Sequence, residues 1–146
     1  MMELPDELYE QIENLSEAGN NCSDEGDYSG AIEQWLQALA LIPHPQQDWE
    51  AATWLHASLG EAYYQSGDYG MAKDALLNAL NCPDGQGNAF IHYMLGKTLV
   101  RLNDAGAVDE LLRAYMLDGV DIFDSDEDEG PDSLQLLEDK GLLDES

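Results

Sequence analysis

One short string returns twice along this chain. Gly26-Asp27-Tyr28-Ser29-Gly30-Ala31 reappears 41 residues later as Gly67-Asp68-Tyr69-Gly70-Met71-Ala72, and Asn103-Asp104-Ala105-Gly106-Ala107-Val108 is a weaker echo 36 residues further on. A repeat at such intervals stacks copies of one supersecondary unit, because no single copy can bury its apolar face alone. Gly-Asp marks a turn. Leu59, Gly60 and Tyr63 before the second turn, and Ala72, Leu76, Ala79 and Leu80 after it, recur at spacings of three and four, which place them on single helix faces. Each unit is therefore expected to be helix, tight turn, helix.

Small residues sit where two such helices must cross closely: Gly19, Gly60 and Gly96 on the first helix of each unit, and Ala31 and Ala72 on the second. With Leu59-Gly60-Glu61-Ala62-Tyr63-Tyr64-Gln65-Ser66-Gly67-Asp68-Tyr69 and the later Ala72 and Ala79, the pattern resembles the tetratricopeptide repeat (TPR). At the usual repeat length of about 34 residues, the repeats fall at 12–45, 53–86 and 89–119, and the TPR domain at 1–119. The resemblance implies an all-α fold, with three helix-turn-helix repeats forming a right-handed α-solenoid. Val108 and Tyr115 fall where the family prefers alanine, so altered packing is expected in the third pair.

The segments between repeats carry their own signals. Pro43-His44-Pro45 stops the second helix of repeat one, and Gln46 to Ala52 reads as about two extra helical turns leading into repeat two. Pro5 with the stripe Leu8, Ile12, Leu15 predicts a first helix over 5–24. Beyond Gly119, Ile122 and Phe123 can tuck under the last helix, six acids fall within 121–129, and a short helix from Pro131 to Asp139 is stopped by Gly141. Residues 120–146 are thus read as an acidic tail with a short capping helix.

Composition decides which functions are open. Five Lys and Arg against 31 Asp and Glu give a net charge of −26. So acidic a surface repels phosphate backbones and anionic headgroups, which argues against nucleic-acid or membrane binding and for a basic protein partner. The start Met1-Met2-Glu3-Leu4-Pro5-Asp6-Glu7 lacks the positive end and apolar run of a secretory peptide, and a cytoplasmic location is expected. Cys22 and Cys82 read as reduced thiols, with no nearby ligand at metal spacing.

Motifs with possible chemistry are few. Gly96-Lys97-Thr98 imitates the end of a phosphate loop, but Ile91 stands where that loop needs glycine. Asp124 to Gly130 imitates a calcium loop, with Glu129 and Gln135 where glycine and glutamate belong. His44, His56 and His92 belong to no carboxylate-histidine-nucleophile set, and the resemblance puts His56 and His92 at equivalent places in repeats two and three, where the family often has a large packing residue. No catalytic residue, metal or cofactor is assigned.

The resemblance instead implies a concave groove lined by the first helix of each repeat. Carried over position by position, it draws Glu13, Ser16, Asn20, Ser23 and Asp24 from repeat one. Repeat two supplies Trp54, Ala57, Glu61, Tyr64 and Gln65, and repeat three Phe90, Tyr93, Lys97, Val100 and Arg101. Aromatics in a partly wet channel are the residues of binding hot spots. Of the set with which some TPR domains clamp a chaperone's C-terminal carboxylate only Asn20 matches, while Ser16, Ser58, Phe90 and Met94 replace the others. The stretch from Arg113 to Phe123, with the acids and short helix after it, is similar to small bacterial TPR proteins that accompany polymorphic toxins. That similarity implies an immunity protein neutralising a basic toxin such as a nuclease. A type III secretion-type chaperone holding an extended segment is the alternative.

Overall fold

The computed structural model describes residues 4–143; the start at Met1 to Glu3 and the last three residues of the tail lie outside them. Eight α-helices and one 3-10 turn make up the described elements, in two compact units that divide between Asp84 and Gly85. The first unit holds α1 (Asp6–Asp24), α2 (Tyr28–Ala40), α3 (Glu50–Gln65) and α4 (Tyr69–Leu80). The second holds α5 (Ala89–Arg101), α6 (Ala107–Asp118), the single turn α7 (Asp121–Asp124) and α8 (Gly130–Asp139).

Each hairpin turns by the same device. Gly26 and Gly67 take positive φ values of 79° and 82°, and Asn103 stands in the equivalent place at 57°. In all three, the following aspartate N–H bonds back to a carbonyl of the helix just ended: Asp27 to Cys22, Asp68 to Tyr63, Asp104 to Leu99, at 2.8–2.9 Å. This left-handed cap satisfies carbonyls at the helix end and reverses the chain. Asp27 and Asp68 then accept from the Gly30 and Met71 amides and so start the next helix. Asp104 accepts one residue earlier, from Gly106.

That single residue corrects the expectation for the third pair. Because its turn is one residue shorter, the alanines of the crossing are Ala107 and Ala114, 5% and 0% exposed, rather than Val108 and Tyr115. The crossing is as tight as the others. A methyl on Gly60 would lie 2.5 Å from Leu76 Cγ, one on Gly96 2.7 Å from Leu111, and one on Gly19 would run into the Trp35 indole. Trp35 lies across Gly19 and donates through Nε1 to the Ser16 carbonyl at 3.2 Å.

The 43–49 segment also departs from expectation. Only Gln46–Asp48 forms a 3-10 turn, and Trp49 is extended (φ −110°, ψ 134°), so α3 starts at Glu50 rather than running on from Gln46. The cause lies in the side chains: Gln46 Nε2 donates to the Leu39 and Ile42 carbonyls, and Trp49 Nε1 to the Pro43 carbonyl. Gln46 thus closes the end of α2, and Trp49 holds the loop that follows it. Ile12, Trp35, Leu55 and Leu59 centre the first core.

In the second unit the acid-rich stretch is folded. Phe123 of α7 and Leu137 of α8, 1% and 0% exposed, join Tyr93, Leu111 and Ala114 in one apolar cluster. Pro131 sits in the first turn of α8, and Gly141 (φ 70°) ends it. His92, 2% exposed, ties α6 to the preceding loop through Glu110 (2.7 Å) and the Gln86 carbonyl (2.8 Å).

Candidate partner-binding site

Within the first unit, α1 and the start of α3 enclose a cleft of about 980 Å³. Ile12 and Ser16, both buried, form its floor. One wall is a helical stripe of α1, with Tyr9, Glu13 and Asn20 at intervals of four and seven; the other is Asp48, Trp49, Glu50, Ala51 and Trp54. Tyr9 and Trp54 are 50% and 41% exposed, large aromatic surfaces that the fold leaves uncovered. Asp6, Glu13, Glu17, Asp48 and Glu50 supply five carboxylates, and no lysine or arginine lines the cleft. Its field is felt by Tyr9, whose phenol is raised above the ordinary tyrosine value by the charge of Glu13 and by their hydrogen bond.

The groove face of α5 is in a different condition. Ile91 through Leu99 are all buried, and the acid-rich segment lies along the helix. Tyr93, 2% exposed, donates from Oη to Asp126 Oδ2 at 2.7 Å and meets the Phe123 ring edge-on at 5.2 Å. Lys97 Nζ donates to the same Asp126 oxygen at 2.7 Å and to Glu129 at 3.4 Å, and Arg101 Nη2 to Glu129 at 2.7 Å. Burial by itself would raise the Asp126 carboxyl, but hydrogen bonds from Lys97, Tyr93 and the Glu129 amide outweigh it and hold the group below its ordinary value. Tyr93 moves the opposite way, well above the usual phenol range, first through burial and then through its bond to Asp126. A smaller hollow of about 430 Å³ remains beside Lys97, Val100, Arg101 and Ser133.

The ten residues named from the sequence thus have different surroundings. Glu13, Asn20 and Trp54 share the cleft of the first unit. Asp24, the last residue of α1, is exposed, and Glu61 is half-buried on α3. Tyr64 is buried, its ring 5.3 Å from that of Tyr69 in an edge-on pair. In the second unit Phe90 is 36% exposed at the start of α5, while Tyr93, Lys97 and Arg101 are engaged by Asp126 and Glu129. Tyr9 and Trp49 belong to the cleft without having been expected there. The spacing of Tyr9 from Glu13 and Ser16 was the available signal, since it continues the α1 stripe one turn toward the N-terminus.

Among the described residues no group of three or more His, Cys, Asp or Glu side chains is placed to hold a metal ion, and no helix is long and apolar enough to cross a membrane. His56 is half-buried, and burial lowers its pKa. Cys22 and Cys82 are free thiols.

No protein-family model matches the chain, and no curated protein does. Solved structures do. The first TPR domain of Spaghetti (RPAP3), bound to the HSP90 peptide SRMEEVD, superposes with a TM-score of 0.69 at 16% identity, covering 92% of this chain and 98% of that one. The C-terminal TPR-containing domain of a Plasmodium falciparum FK506-binding protein gives 0.74 at 19%, covering 94% and 93%. The MamA protein gives 0.66 at 21%, covering 90% and 74%. Together with the three hairpins that turn through a left-handed residue, these likenesses establish the fold as all-α, of the tetratricopeptide-repeat kind.

Proposed function

We propose that this chain is a non-catalytic protein-binding module whose acidic cleft, built by α1 and α3, receives a basic segment of another protein. One observation carries the reading: five carboxylates and three aromatic side chains line the cleft, and no cation does. Opposite fields speed encounter and fix register, and exposed aromatic rings supply contact area at low rotamer cost. Glu13, Asn20 and Trp54, with Tyr9, are the contact residues of this reading. The RPAP3 domain, of the same fold, holds a peptide, which supports a protein ligand. That peptide is acidic, and the charge of the present cleft calls for the opposite sign.

Within this class the chain is read as an immunity protein that neutralises a basic bacterial toxin. The alternative, a chaperone of the type III secretion kind, needs the faces of successive repeats open to an extended substrate. Here the chain's own Asp126 and Glu129 occupy the Lys97 and Arg101 side of α5, which favours the inhibitor. The test is co-expression with the product of the adjacent gene, followed by capture and a growth-rescue assay. Rescue by the wild type, lost on Glu13→Lys with Trp54→Ala, is the expected result. Capture of an unfolded secreted protein with no enzyme inhibited would falsify the immunity role.

A further inference from the structure

We infer that the segment received by this cleft is an amphipathic α-helix carrying cations at i, i+7 and i+11, an inference that rests on the basic-ligand reading above and adds the ligand's conformation. Asp6, Glu13 and Glu17 all line the cleft and all belong to α1. At 100° per residue they fall within a stripe about 40° wide, and at 1.5 Å per residue they lie about 10 Å and then about 6 Å apart along the axis. A partner helix running alongside reproduces these intervals with side chains on one face: i, i+7 and i+11, or i, i+4 and i+11 in the reverse direction.

An extended strand does not. At about 3.3 Å per residue, the same intervals call for positions near i, i+3 and i+5, and i faces away from the other two because strand side chains alternate. The apolar elements of the cleft agree with a helix as well. Tyr9 lines the same cleft one turn after Asp6, so it meets a residue of the partner between the first and second cations.

The experiment uses the full chain and three alanine-based peptides of about sixteen residues. One carries arginines at i, i+7 and i+11 with leucines one turn after the first; one is the same peptide with a central proline; one is helical with its arginines spread around the axis. Binding is read from tryptophan fluorescence and peptide helicity from circular dichroism. The first peptide should bind at least about tenfold more tightly than either of the others and gain helicity on binding. Glu13→Lys and Glu17→Lys should each weaken it by about tenfold, while Asp118→Lys on α6 leaves it unchanged. Equal binding of the proline peptide overturns the helical ligand and leaves the basic-ligand reading standing. Failure of all three peptides, or indifference to Glu13→Lys, overturns both.

Discussion

The Lys97 ammonium and the Asp126 carboxylate meet at 2.7 Å, joining the first helix of the third repeat to the acid-rich segment 29 residues later. Lys97 is 6% exposed and its nitrogen lies 5.1 Å from the centre of the Tyr93 ring, so the charge is stabilised by a carboxylate and an aromatic face together. Removing one partner of such a pair leaves the other without its counter-charge. Lys97→Met should destabilise the protein by about 2 kcal/mol in urea titration, and Lys97→Met with Asp126→Asn should recover part of that loss.

The same pair makes the docking of α7 and α8 acid-sensitive. Since the folded Asp126 carboxyl lies below its ordinary value, its contribution is present in full above the unfolded value of 3.8 and is lost as pH falls through the folded one. Amide exchange in residues 121–139 should therefore quicken relative to α1 as pH drops below about 4, after correction for intrinsic exchange. Asp126→Asn should be fast already at neutral pH. An unchanged protection ratio across that window would contradict the assignment.

Gly60 is set by its neighbour. Alanine improves helix propensity by about 1 kcal/mol, yet its methyl would sit 2.5 Å from Leu76. Gly60→Ala should lower stability by about 1–3 kcal/mol, and adding Leu76→Ala should cost less than the two changes made separately, which a double-mutant cycle measures.

Trp54 and Tyr93 should respond differently to truncation. Trp54→Ala removes a side chain that is 41% exposed and should leave the melting temperature close to that of the wild type while weakening partner binding by about 2 kcal/mol. Tyr93→Ala opens a hole against Phe123 and removes one of the hydrogen bonds to Asp126, and should cost about 3 kcal/mol of stability. Calorimetry and partner titration on the two variants separate a surface contact from a core one.

The hairpins were legible because their turns repeat a residue pattern with one geometric meaning: a left-handed residue, then a capping aspartate. The third register was not. Asn103 replaces glycine there, and closing the turn one residue early, at Ala107, leaves Val108 beside it as an equally plausible letter. Glu13, Asn20 and Trp54, carried over from the repeat resemblance, line one cleft, but Tyr9 and Trp49 beside them fall outside the groove positions that the resemblance supplies. What the acid-rich run would do was hidden in its uniformity. Only the three-residue interval between Asp126 and Glu129 brings both carboxylates to Lys97, and that depends on Phe123 and Leu137 first anchoring the segment.

The folding of the acid-rich segment onto α5 also governs how copies of the protein meet one another. Of only five basic side chains, Lys97, Arg101 and Arg113 are matched with carboxylates of the same molecule. Five basic side chains against 31 acids offer little to attract a second copy, so molecules in dilute buffer should repel strongly. Added salt, by shortening the range of that repulsion, should be what allows them to crowd together.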